Sequence, residues 1–542
     1  MAAKLPAGPL GSLADAPFTL GVLRRSGVVH LQRPDHLARI GLALARWGAS
    51  PAAGITRASI AEPDRVGLID ELGELSFGEL HARSNALANS LHSLGVGASD
   101  GIAIMCRNHR GFFDAVFAAA KLGADVLLMN TAFAGPQLAA VVEREDPAVL
   151  IYDSEFAELL SAVPERVRRV IAWEGEGETG DDLSARELIE TGSRDNLRPP
   201  AAPSRFIVLT SGTTGTPKGA QRSSPETLAP IAALLDRIPL RRGETTVIAA
   251  PLFHSWGFLH FSIGLALGSR YVLQRRFDPE ATLRAVAESG ATALAVVPVM
   301  MQRIIELSDE TLARYDISSL RITAASGSAL PGELAIRWMD ALGDNIYNLY
   351  GSTEVAYASI ATPADLRAAP GTAGRPPHGT VVKIVDEDGS DLPQGEVGRI
   401  FVGNQMAFEG YTGGGGKELL AGLMSSGDVG HFDSEGRLFV DGRDDEMIVS
   451  GGENVFPREV EDLLSDHPAV EEAAVIGVPD EKFGQRLKAF VVLRDGVEQP
   501  DHAALQEYVK AHLARYKVPR EVAFLDQLPR NATGKVLKRE LS

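Results

Sequence analysis

Strand-like apolar runs alternate with amphipathic helical segments along most of this 542-residue chain, and this rhythm limits the possible folds more than any other feature. The first units contain predicted strands at 67–70, 73–76, 101–105 and 125–130 and predicted helices at 77–94 and 113–122. After a polar interval at 174–202, which we expect to be a surface excursion, further strands are predicted at 206–209, 246–250, 293–297 and 320–325, with helices at 279–289 and 332–342. Such alternation implies a mostly parallel sheet with helices on both faces.

The pattern changes toward the end of the chain. A glycine run at 413–416 lies in a smaller, hairpin-rich section, and beyond Gly442 helices are predicted at 458–465 and 502–515, with strands at 473–477 and 487–493. About a hundred residues can hold a core of their own. The sequence therefore predicts an α/β fold. Residues 1–442 form a large N-terminal domain of layered α/β subdomains plus a small β-rich subdomain, and residues 443–542 form a small mobile α+β C-terminal domain.

Composition excludes several classes of function. With 53 Lys and Arg against 71 Asp and Glu, the net charge of -18 disfavours binding to nucleic acid. Cys106 is the only cysteine, so an internal disulfide and a cysteine metal cluster are excluded, and its apolar neighbours indicate a buried strand residue. No apolar run is long enough to span a membrane, and we expect a cytoplasmic protein, either monomer or homodimer.

Residues 1–55 form a leader with a predicted helix near 37–47. Its first fifty residues carry six Lys or Arg against Asp15 and Asp35, which is unusual in an acidic protein. The basic leader either makes a weak peripheral contact with a membrane that supplies fatty acid or packs on the large domain with its arginines hydrated. We favour packing on the large domain.

The stretch 210–219, Thr-Ser-Gly-Thr-Thr-Gly-Thr-Pro-Lys-Gly, follows a predicted buried strand and precedes a segment with helical spacing. Its glycines let the backbone approach an anion, and its hydroxyls and Lys218 can contact phosphate oxygens. Pro217 stands where a Walker A loop has its second glycine, so the stretch is not that motif. A surface turn is the alternative. The candidate polyphosphate ligands are Thr210, Ser211, Gly212, Thr213, Thr214, Gly215 and Lys218.

A second turn, Tyr350-Gly-Ser-Thr-Glu354, follows the predicted strand 346–349. Glu354 can hold Mg²⁺ through oxygen while Thr353 touches phosphate, although a helix cap would also explain Ser or Thr before Glu. With the 210–219 stretch, this turn resembles the nucleotide site of the adenylate-forming superfamily of acyl-CoA synthetases, peptide-synthetase adenylation domains and luciferases. Similar landmarks run from about Leu75 to the last helix, and the nearest resemblance is to bacterial fatty-acid–CoA ligases.

The resemblance places further residues around the nucleotide and the acid. It implies that Tyr350, Gly351 and Gly327 lie near adenine, although Ser-Gly-Ser-Ala-Leu at 326–330 departs from the commoner Gly-Gly-Ala-Pro-Leu. His254, in Pro251-Leu-Phe-His-Ser-Trp-Gly257, would lie where the carboxylate substrate meets ATP, whereas a lone histidine is more often structural. Nearby apolar side chains belong either to the core or to an acyl pocket formed by Trp256, Phe258, Val299 and Met300.

The resemblance also implies roles for residues at three further positions along the chain. Asp428 would accept hydrogen bonds from the ribose hydroxyls and Arg443 would assist at ribose or phosphate, with surface ion pairing as the alternative. Asp445 would be the hinge about which the small domain turns. Gly451 and Gly452 would line the pantetheine tunnel, or form an ordinary turn.

Lys535 ends the sequence Pro529-Arg-Asn-Ala-Thr-Gly-Lys535, which resembles the superfamily's catalytic-lysine loop. Its ammonium would clamp the carboxylate and the α-phosphate while negative charge develops. The predicted catalytic group is therefore Lys535, His254, Thr353 and Glu354.

The predicted activity is an ATP-dependent ligase that first forms acyl-AMP and then acyl-CoA, with Mg²⁺ as cofactor and ATP and CoA as substrates. Adenylation domains for amino acids place a carboxylate near the histidine, whereas residues 253–261 contain none, so a medium- or long-chain fatty acid is expected. The alternatives are an aryl or branched acid, an acyl-AMP ligase that loads a carrier protein, and a luciferase-like oxygenase.

Overall fold

The computed structural model describes residues 9–30, 33–48, 50–98, 100–175, 177, 180–210, 218–222, 227–406, 408–412, 414–446, 448–450, 453–480, 484–531 and 534–542. The helices of these residues are α1 Pro9–Ser26, α2 Pro34–Trp47, α3 Pro51–Ala61, α4 Phe77–Ser93, α5 Arg110–Leu122, α6 Gly135–Glu145, α7 Ala185–Thr191, α8 Ala229–Arg237, α9 Ser255–Leu267, α10 Pro279–Ser289, α11 Pro298–Ile305, α12 Asp309–Arg314, α13 Gly332–Leu342, α14 Pro363–Ala368, α15 Pro457–Ser465 and α16 His502–His512. The strands are β1 Val66–Asp70, β2 Gly73–Ser76, β3 Gly101–Met105, β4 Asp125–Leu128, β5 Val149–Asp153, β6 Arg168–Trp173, β7 Leu183–Ser184, β8 Phe206–Thr210, β9 Lys218–Arg222, β10 Thr245–Ile248, β11 Arg270–Leu273, β12 Ala293–Val296, β13 Ile322–Ala325, β14 Ile346–Tyr350, β15 Ser359–Ala361, β16 Val381–Val385, β17 Gly398–Gly403, β18 Gly410–Tyr411, β19 Leu419–Leu420, β20 Leu423–Phe432, β21 Leu438–Arg443, β22 Ile448–Ser450, β23 Glu453–Val455, β24 Val470–Asp480, β25 Gly484–Leu493 and β26 Glu521–Phe524.

Two large, mostly parallel sheets form the body of the molecule. One has the strand order β15-β14-β13-β12-β10-β11-β1-β2, and the other has the order β18-β9-β8-β4-β3-β5-β6-β7. Their inner strands pair in parallel, whereas β2, β9, β15 and β18 run antiparallel at or near the edges. The carboxyl ends of parallel strands lie along one edge of a sheet, which is where such sheets usually bind ligands.

Helices α4, α5 and α9 share one apolar core with strands of both large sheets. Phe113 of α5 makes edge contacts with Phe117, with Phe261 of α9 and with Tyr271 of β11, at ring-centroid distances of 5.7, 4.8 and 5.0 Å. Cys106 is buried within this core, as predicted, but it lies one residue after the end of β3 rather than in the strand. The core fixes α9, and therefore the segment before it, relative to both sheets.

The leader packs on the large domain, which is the interpretation favoured from sequence. Val22 and Leu23 of α1 are buried with Leu234 and Leu235 of α8, and the Arg25 guanidinium lies 2.8 Å from the Asp236 carboxylate. Helix α2 packs through apolar side chains on α3 and α5. Among the described residues, no helix combines the length and hydropathy needed to cross a bilayer.

Two smaller sheets follow. Strands β16-β17-β20-β19, with β21 beside β20, form a β-rich unit, and β23-β22-β25-β24, with β26 beside β25, form the core of the C-terminal domain with α15 and α16. This arrangement confirms the predicted fold class of a large N-terminal α/β domain and a small C-terminal domain. The last strand of the β-rich unit ends at Arg443 and the next sheet begins at Ile448. The division at 442 and 443 stays a prediction.

Two local predictions from sequence are wrong. The segment after the 210–219 stretch begins with β9, which pairs antiparallel with β8, and the helical spacing starts later, at α8. The polar interval 174–202 is only partly a surface excursion, because it contains β7 and α7, whose Ala185 and Ile189 are buried. In both places the structure depends on long-range pairing or packing, which local spacing does not encode.

Candidate active site

A cavity of about 1430 Å³ brings together most of the predicted site residues. Its walls come from strand ends of the large domain, from the β-rich unit and from the C-terminal domain. The predicted residues that line it are Lys218, His254, Trp256, Phe258, Gly327, Tyr350, Gly351, Thr353, Glu354, Asp428, Arg443 and Lys535. Residues separated by more than three hundred positions in sequence therefore face one space.

Several predicted residues cannot be placed. Ser211, Gly212, Thr213, Thr214 and Gly215 lie outside the described residues, as do Gly451 and Gly452. The side chains of Thr210 and Asp445 are likewise not described, although both backbones are.

The ends of the 210–219 stretch are held by pairing. Thr210 and Lys218 are partners in the β8–β9 ladder, and β9 also pairs with β18. The Gly219 backbone N–H donates to the Thr412 hydroxyl at 3.2 Å, and that hydroxyl donates to the Glu145 carboxylate. A Cβ on Gly219 would lie 2.5 Å from the same hydroxyl oxygen, so only glycine permits this approach.

Tyr350, Asp428 and Arg443 form a hydrogen-bonded cluster on one side of the cavity. The Tyr350 hydroxyl donates to Asp428 Oδ2 at 2.5 Å, and Arg443 Nη1 lies 3.3 Å from Asp428 Oδ1. Burial raises the pKa of Asp428, although the Tyr350 hydrogen bond and the charges of Arg443 and Lys535 oppose that effect. A carboxylate with two fixed partners, lining a cavity, is suited to accept hydrogen bonds from a ligand's hydroxyls.

Glu354 lies in a second cluster, which Tyr411 connects to Lys218. Its two carboxylate oxygens accept hydrogen bonds from the Tyr411 hydroxyl at 2.7 Å and the Ser352 hydroxyl at 2.9 Å. Lys218 Nζ lies 5.2 Å from the centre of the Tyr411 ring, within cation–π range. Because a carboxylate oxygen has more than one lone pair, Glu354, together with Thr353, fits a hard cation such as Mg²⁺.

His254 precedes α9 and presents an unsatisfied nitrogen. Its Nε2 is buried and has no hydrogen-bond partner among the described residues, while the side chain lines the cavity. Burial lowers the pKa of His254 to about 3, so the ring is neutral near pH 7. A buried polar atom without a partner at a cavity wall indicates a contact that a ligand would complete.

Of the four residues predicted to form the acyl pocket, the structure brings two to the cavity. Trp256 and Phe258 line the cavity, and the Trp256 indole N–H donates to the Val296 carbonyl at 3.0 Å. Val299 and Met300 are not among the lining residues, because this turn of α11 packs against the core and the C-terminal domain. A Cβ placed on Gly534 would lie 2.4 Å from Val299 Cγ1, so Val299 is a docking surface for the Lys535 loop.

Lys535 is exposed and is carried into the cavity by a hydrogen-bonded loop. Its backbone N–H donates to Asn531 Oδ1 at 2.9 Å, and its carbonyl accepts from the Asn531 N–H at 2.9 Å. Arg530 donates to the Gly534 carbonyl and to Glu472, each at 2.5 Å. The loop is therefore held on the C-terminal domain while its glycine contacts the large domain.

Sequence reasoning missed Ser352, Tyr411, Lys417 and Arg530, which all contact site groups or line the cavity. Ser352 lies within the motif 350–354 and Arg530 within the motif 529–535, so their position in these motifs could have indicated them. Tyr411 and Lys417 flank the glycine run, and only the pairing of β18 with β9 brings that segment to the site.

Comparison with known proteins agrees with this geometry. The profile of the AMP-binding enzyme family matches residues 56–412, and that of the AMP-binding enzyme C-terminal domain matches residues 459–535. The chain belongs to this family, and it is an AMP-forming acid–thiol ligase. Such ligases use ATP and CoA as substrates and Mg²⁺ as cofactor.

Individual relatives are similar over most of their length. The chain is 33% identical to an indoleacetate–CoA ligase of Aromatoleum aromaticum, over 90% of this chain and 96% of the relative. It is 29% identical to the fatty acid–[acyl-carrier-protein] ligase ScoC of Streptomyces coeruleorubidus, over 89% of this chain and 93% of the relative. The crystal structure of the anthranilate CoA ligase AuaEII with anthranoyl-AMP aligns with a TM-score of 0.82 at 27% identity, covering 91% of this chain and 96% of that one.

Proposed function

We propose that this ligase activates medium- or long-chain fatty acids for transfer to CoA. The observation that carries the proposal is the chemistry of one part of the cavity wall. Among the described residues of 28–57 and 206–266 that line the cavity, most are apolar and none is Asp or Glu. An α-amino acid would need a carboxylate partner for its ammonium group, whereas an alkyl chain needs only apolar surface.

The first half-reaction joins the acid to AMP. A carboxylate oxygen attacks the α-phosphorus of ATP, the bond from that phosphorus to its bridging oxygen breaks, and pyrophosphate leaves with the electron pair. Lys535 would neutralise charge between carboxylate and α-phosphate, the 210–219 stretch and Lys218 would hold the outer phosphates, and His254 would exclude water beside the reacting carboxylate. Mg²⁺, when bound at Glu354, supplies charge neutralisation to the phosphates.

Other residues would orient the nucleotide. Asp428 would accept from the ribose hydroxyls, Arg443 would steady Asp428 and the phosphate side, and Tyr350 with Gly351 and Gly327 would contact adenine. The left-handed φ of +98° at Gly327 lets the backbone of that loop approach the cavity. These assignments rest on the shared cavity and on the Tyr350–Asp428–Arg443 contacts described above.

The second half-reaction needs a different arrangement of the small domain. The CoA sulfur attacks the acyl carbon, the bond from carbon to the bridging oxygen breaks, and AMP leaves. We propose that residues 443–542 turn about Asp445, withdraw Lys535 and present Gly451 and Gly452 to the pantetheine arm. Strands β22 and β23, which flank those two glycines in sequence, pair antiparallel, with Ser450 opposite Glu453.

Two alternatives within the same chemistry are favoured by named relatives. The indoleacetate and anthranilate ligases support an aryl or branched acid, and the carrier-protein ligase supports an acceptor other than CoA. We propose a cytoplasmic enzyme, monomer or homodimer, that acts on small molecules.

The test is release of AMP and pyrophosphate with Mg-ATP and a panel of alkyl, aryl and amino acids, with and without CoA. We expect turnover to require CoA and to be greatest with an alkyl acid. Greater kcat/KM with indole-3-acetate or ferulate than with any alkyl acid would overturn the fatty-acid assignment. If an acyl carrier protein accelerates pyrophosphate release and CoA does not, the acceptor is the carrier protein rather than CoA.

A further inference from the structure

Leader residues that precede the family domain contribute to the wall of the cavity. The AMP-binding family match begins at residue 56, yet Val28, Val29, Leu37, Ile40 and Leu44 line the same cavity as His254 and Lys535. All five side chains are apolar. Part of the binding space is therefore formed by structure that the family domain itself does not include.

Helix α9 provides a path from the catalytic end of the cavity to this leader wall. Phe258, Ser262 and Ala266 line the cavity at intervals of four residues, so they lie along one helix face. From His254 to Ala266 the helical rise gives a path of roughly 18 Å. One leaflet of a bilayer, half of its hydrocarbon core, is about 15 Å thick, so the path has the length of a membrane-lipid acyl chain.

The far end of α9 is fixed by direct contacts to α3, the helix that begins at the end of the leader. Arg57 of α3 donates from Nη2 to the carbonyl oxygens of Leu265 and Ala266, at 2.6 and 3.1 Å. A Cβ on Gly54 would lie 3.2 Å from Leu265 Cβ, so α3 approaches α9 as closely as packing allows. Helix α2 then packs on α3 through Trp47 and small residues. The leader wall is thus held in a fixed position relative to the helix that bears His254 at its start.

We propose that Val28, Val29, Leu37, Ile40 and Leu44 of the leader form the distal wall of the acyl-binding cavity and adapt this enzyme to acids with long alkyl chains. This inference rests on the proposed ligase function. Val29, Leu37 and Leu44 are 44%, 53% and 49% exposed, so they retain apolar surface that a chain reaching this end of the cavity would cover. A short acid would occupy only the part of the path near His254 and would not touch the leader.

Two leucines of α2 provide a matched pair for the test. Leu44 lines the cavity, whereas Leu42 does not, and their exposures are 49% and 52%. In L44E, a long alkyl chain would have to desolvate the new carboxylate. We expect kcat/KM for hexadecanoate to fall by at least about tenfold and that for hexanoate to stay within about twofold of wild type. L42E should match wild type with both acids, and thermal melting verifies that both variants fold.

If L44E and L42E change kcat/KM for hexadecanoate equally, the proposed role of the leader in binding the acyl chain is wrong. The ligase proposal would be unaffected. Failure of wild type to release AMP with any acid would contradict the ligase proposal instead.

Fluorescence titration with cis-parinaric acid, a long polyunsaturated fatty acid, tests the wall without ATP or turnover. We expect L44E to bind it at least about tenfold more weakly than L42E does, and equal affinity would again overturn the inference.

Discussion

At the scale of single residues, we propose that the adenylation step depends most on Lys535. It is exposed, it lines the cavity, and its positive charge opposes the rise that burial produces in the pKa of Asp428. A positive charge placed at the cavity can stabilise the negative charge that develops on the reacting groups.

We predict that Lys535→Ala lowers the rate of acyl-AMP formation by at least about a thousandfold, because a charged group acting in the transition state is lost. Thioester formation from supplied acyl-AMP and CoA should stay within about threefold of wild type. Rapid-quench measurement of each half-reaction tests this. Arg539→Ala, which removes an exposed charge from the same terminal segment, is the control. Equal loss of both half-reactions would contradict a role confined to adenylation.

At the scale of elements, α9 lines the cavity and also carries a buried histidine. His260 is 2% exposed, and both ring nitrogens lack a hydrogen-bond partner among the described residues. Its ring makes an edge contact with Trp256 at a centroid distance of 4.5 Å, and burial lowers the pKa of His260 from 6.5 to about 4. The folded state therefore holds this ring neutral at pH values where the unfolded chain protonates it.

Because the folded pKa lies below the unfolded value, His260 should lower stability as the pH falls from about 6.5 toward 4. When the pH is lowered from 7 to 5, we predict that the unfolding free energy of His260→Phe decreases by roughly 2 kcal/mol less than that of the wild type. The phenyl ring can keep the edge contact with Trp256. Urea denaturation at both pH values measures the effect, and His502→Phe at an exposed position of α16 is the control. If the unfolding free energy of His260→Phe depends on pH as that of the wild type does, protonation of His260 does not cause the loss of stability.

Elements with strong local signals were predictable from the sequence. Helices α10 and α13 have the predicted bounds, and both are amphipathic segments followed by a glycine with positive φ, at Gly290 and Gly343. Strand β9 was missed because only its pairing with β8 and β18 makes it extended. The spacing of apolar residues within β9 cannot indicate its pairing with β18, which lies nearly two hundred residues away in the chain.

The same limit applies to the site. His254, Glu354, Asp428 and Lys535 stand in recognisable motifs, and the structure places all four around one cavity. The apolar character of Val299 and Met300 fits an acyl pocket as well as a core, and the direction of α11 turns both side chains toward other surfaces. The leader residues gave no signal of a binding role, since their position against α9 depends on tertiary packing.

At the scale of the whole molecule, the contact between the two domains determines where Lys535 lies. Gly534 has φ of +79°, and its backbone touches Val299 of the large domain. Arg494 lies 3.5 Å from Glu333 across the same interface. A close backbone contact next to Lys535 makes the docking of the C-terminal domain sensitive to a single added methyl group.

We predict that Gly534→Ala slows acyl-AMP formation while thioester formation from supplied acyl-AMP is spared. The added Cβ would meet Val299 Cγ1 at 2.4 Å in the docked pose. Overpacking of this kind costs about 2 kcal/mol, or roughly thirtyfold in rate.

Gly496→Ala separates this clash from backbone strain, because Gly496 has φ of +75° and no atom within 4 Å of an added Cβ. It should leave both half-reactions within about twofold of wild type. Equal slowing by the two substitutions would mean that strain, rather than docking on Val299, limits the reaction.

In the proposed mechanism, the carboxylate is activated by forming a bond to the α-phosphorus of ATP. The most direct measurement is mass spectrometry of AMP released when the acid carries ¹⁸O in both carboxylate oxygens. If acyl-AMP is the intermediate, each AMP should contain one labelled oxygen, because CoA attacks the acyl carbon and the bridging oxygen leaves with AMP. Unlabelled AMP, or label in orthophosphate with formation of ADP, would contradict the mechanism.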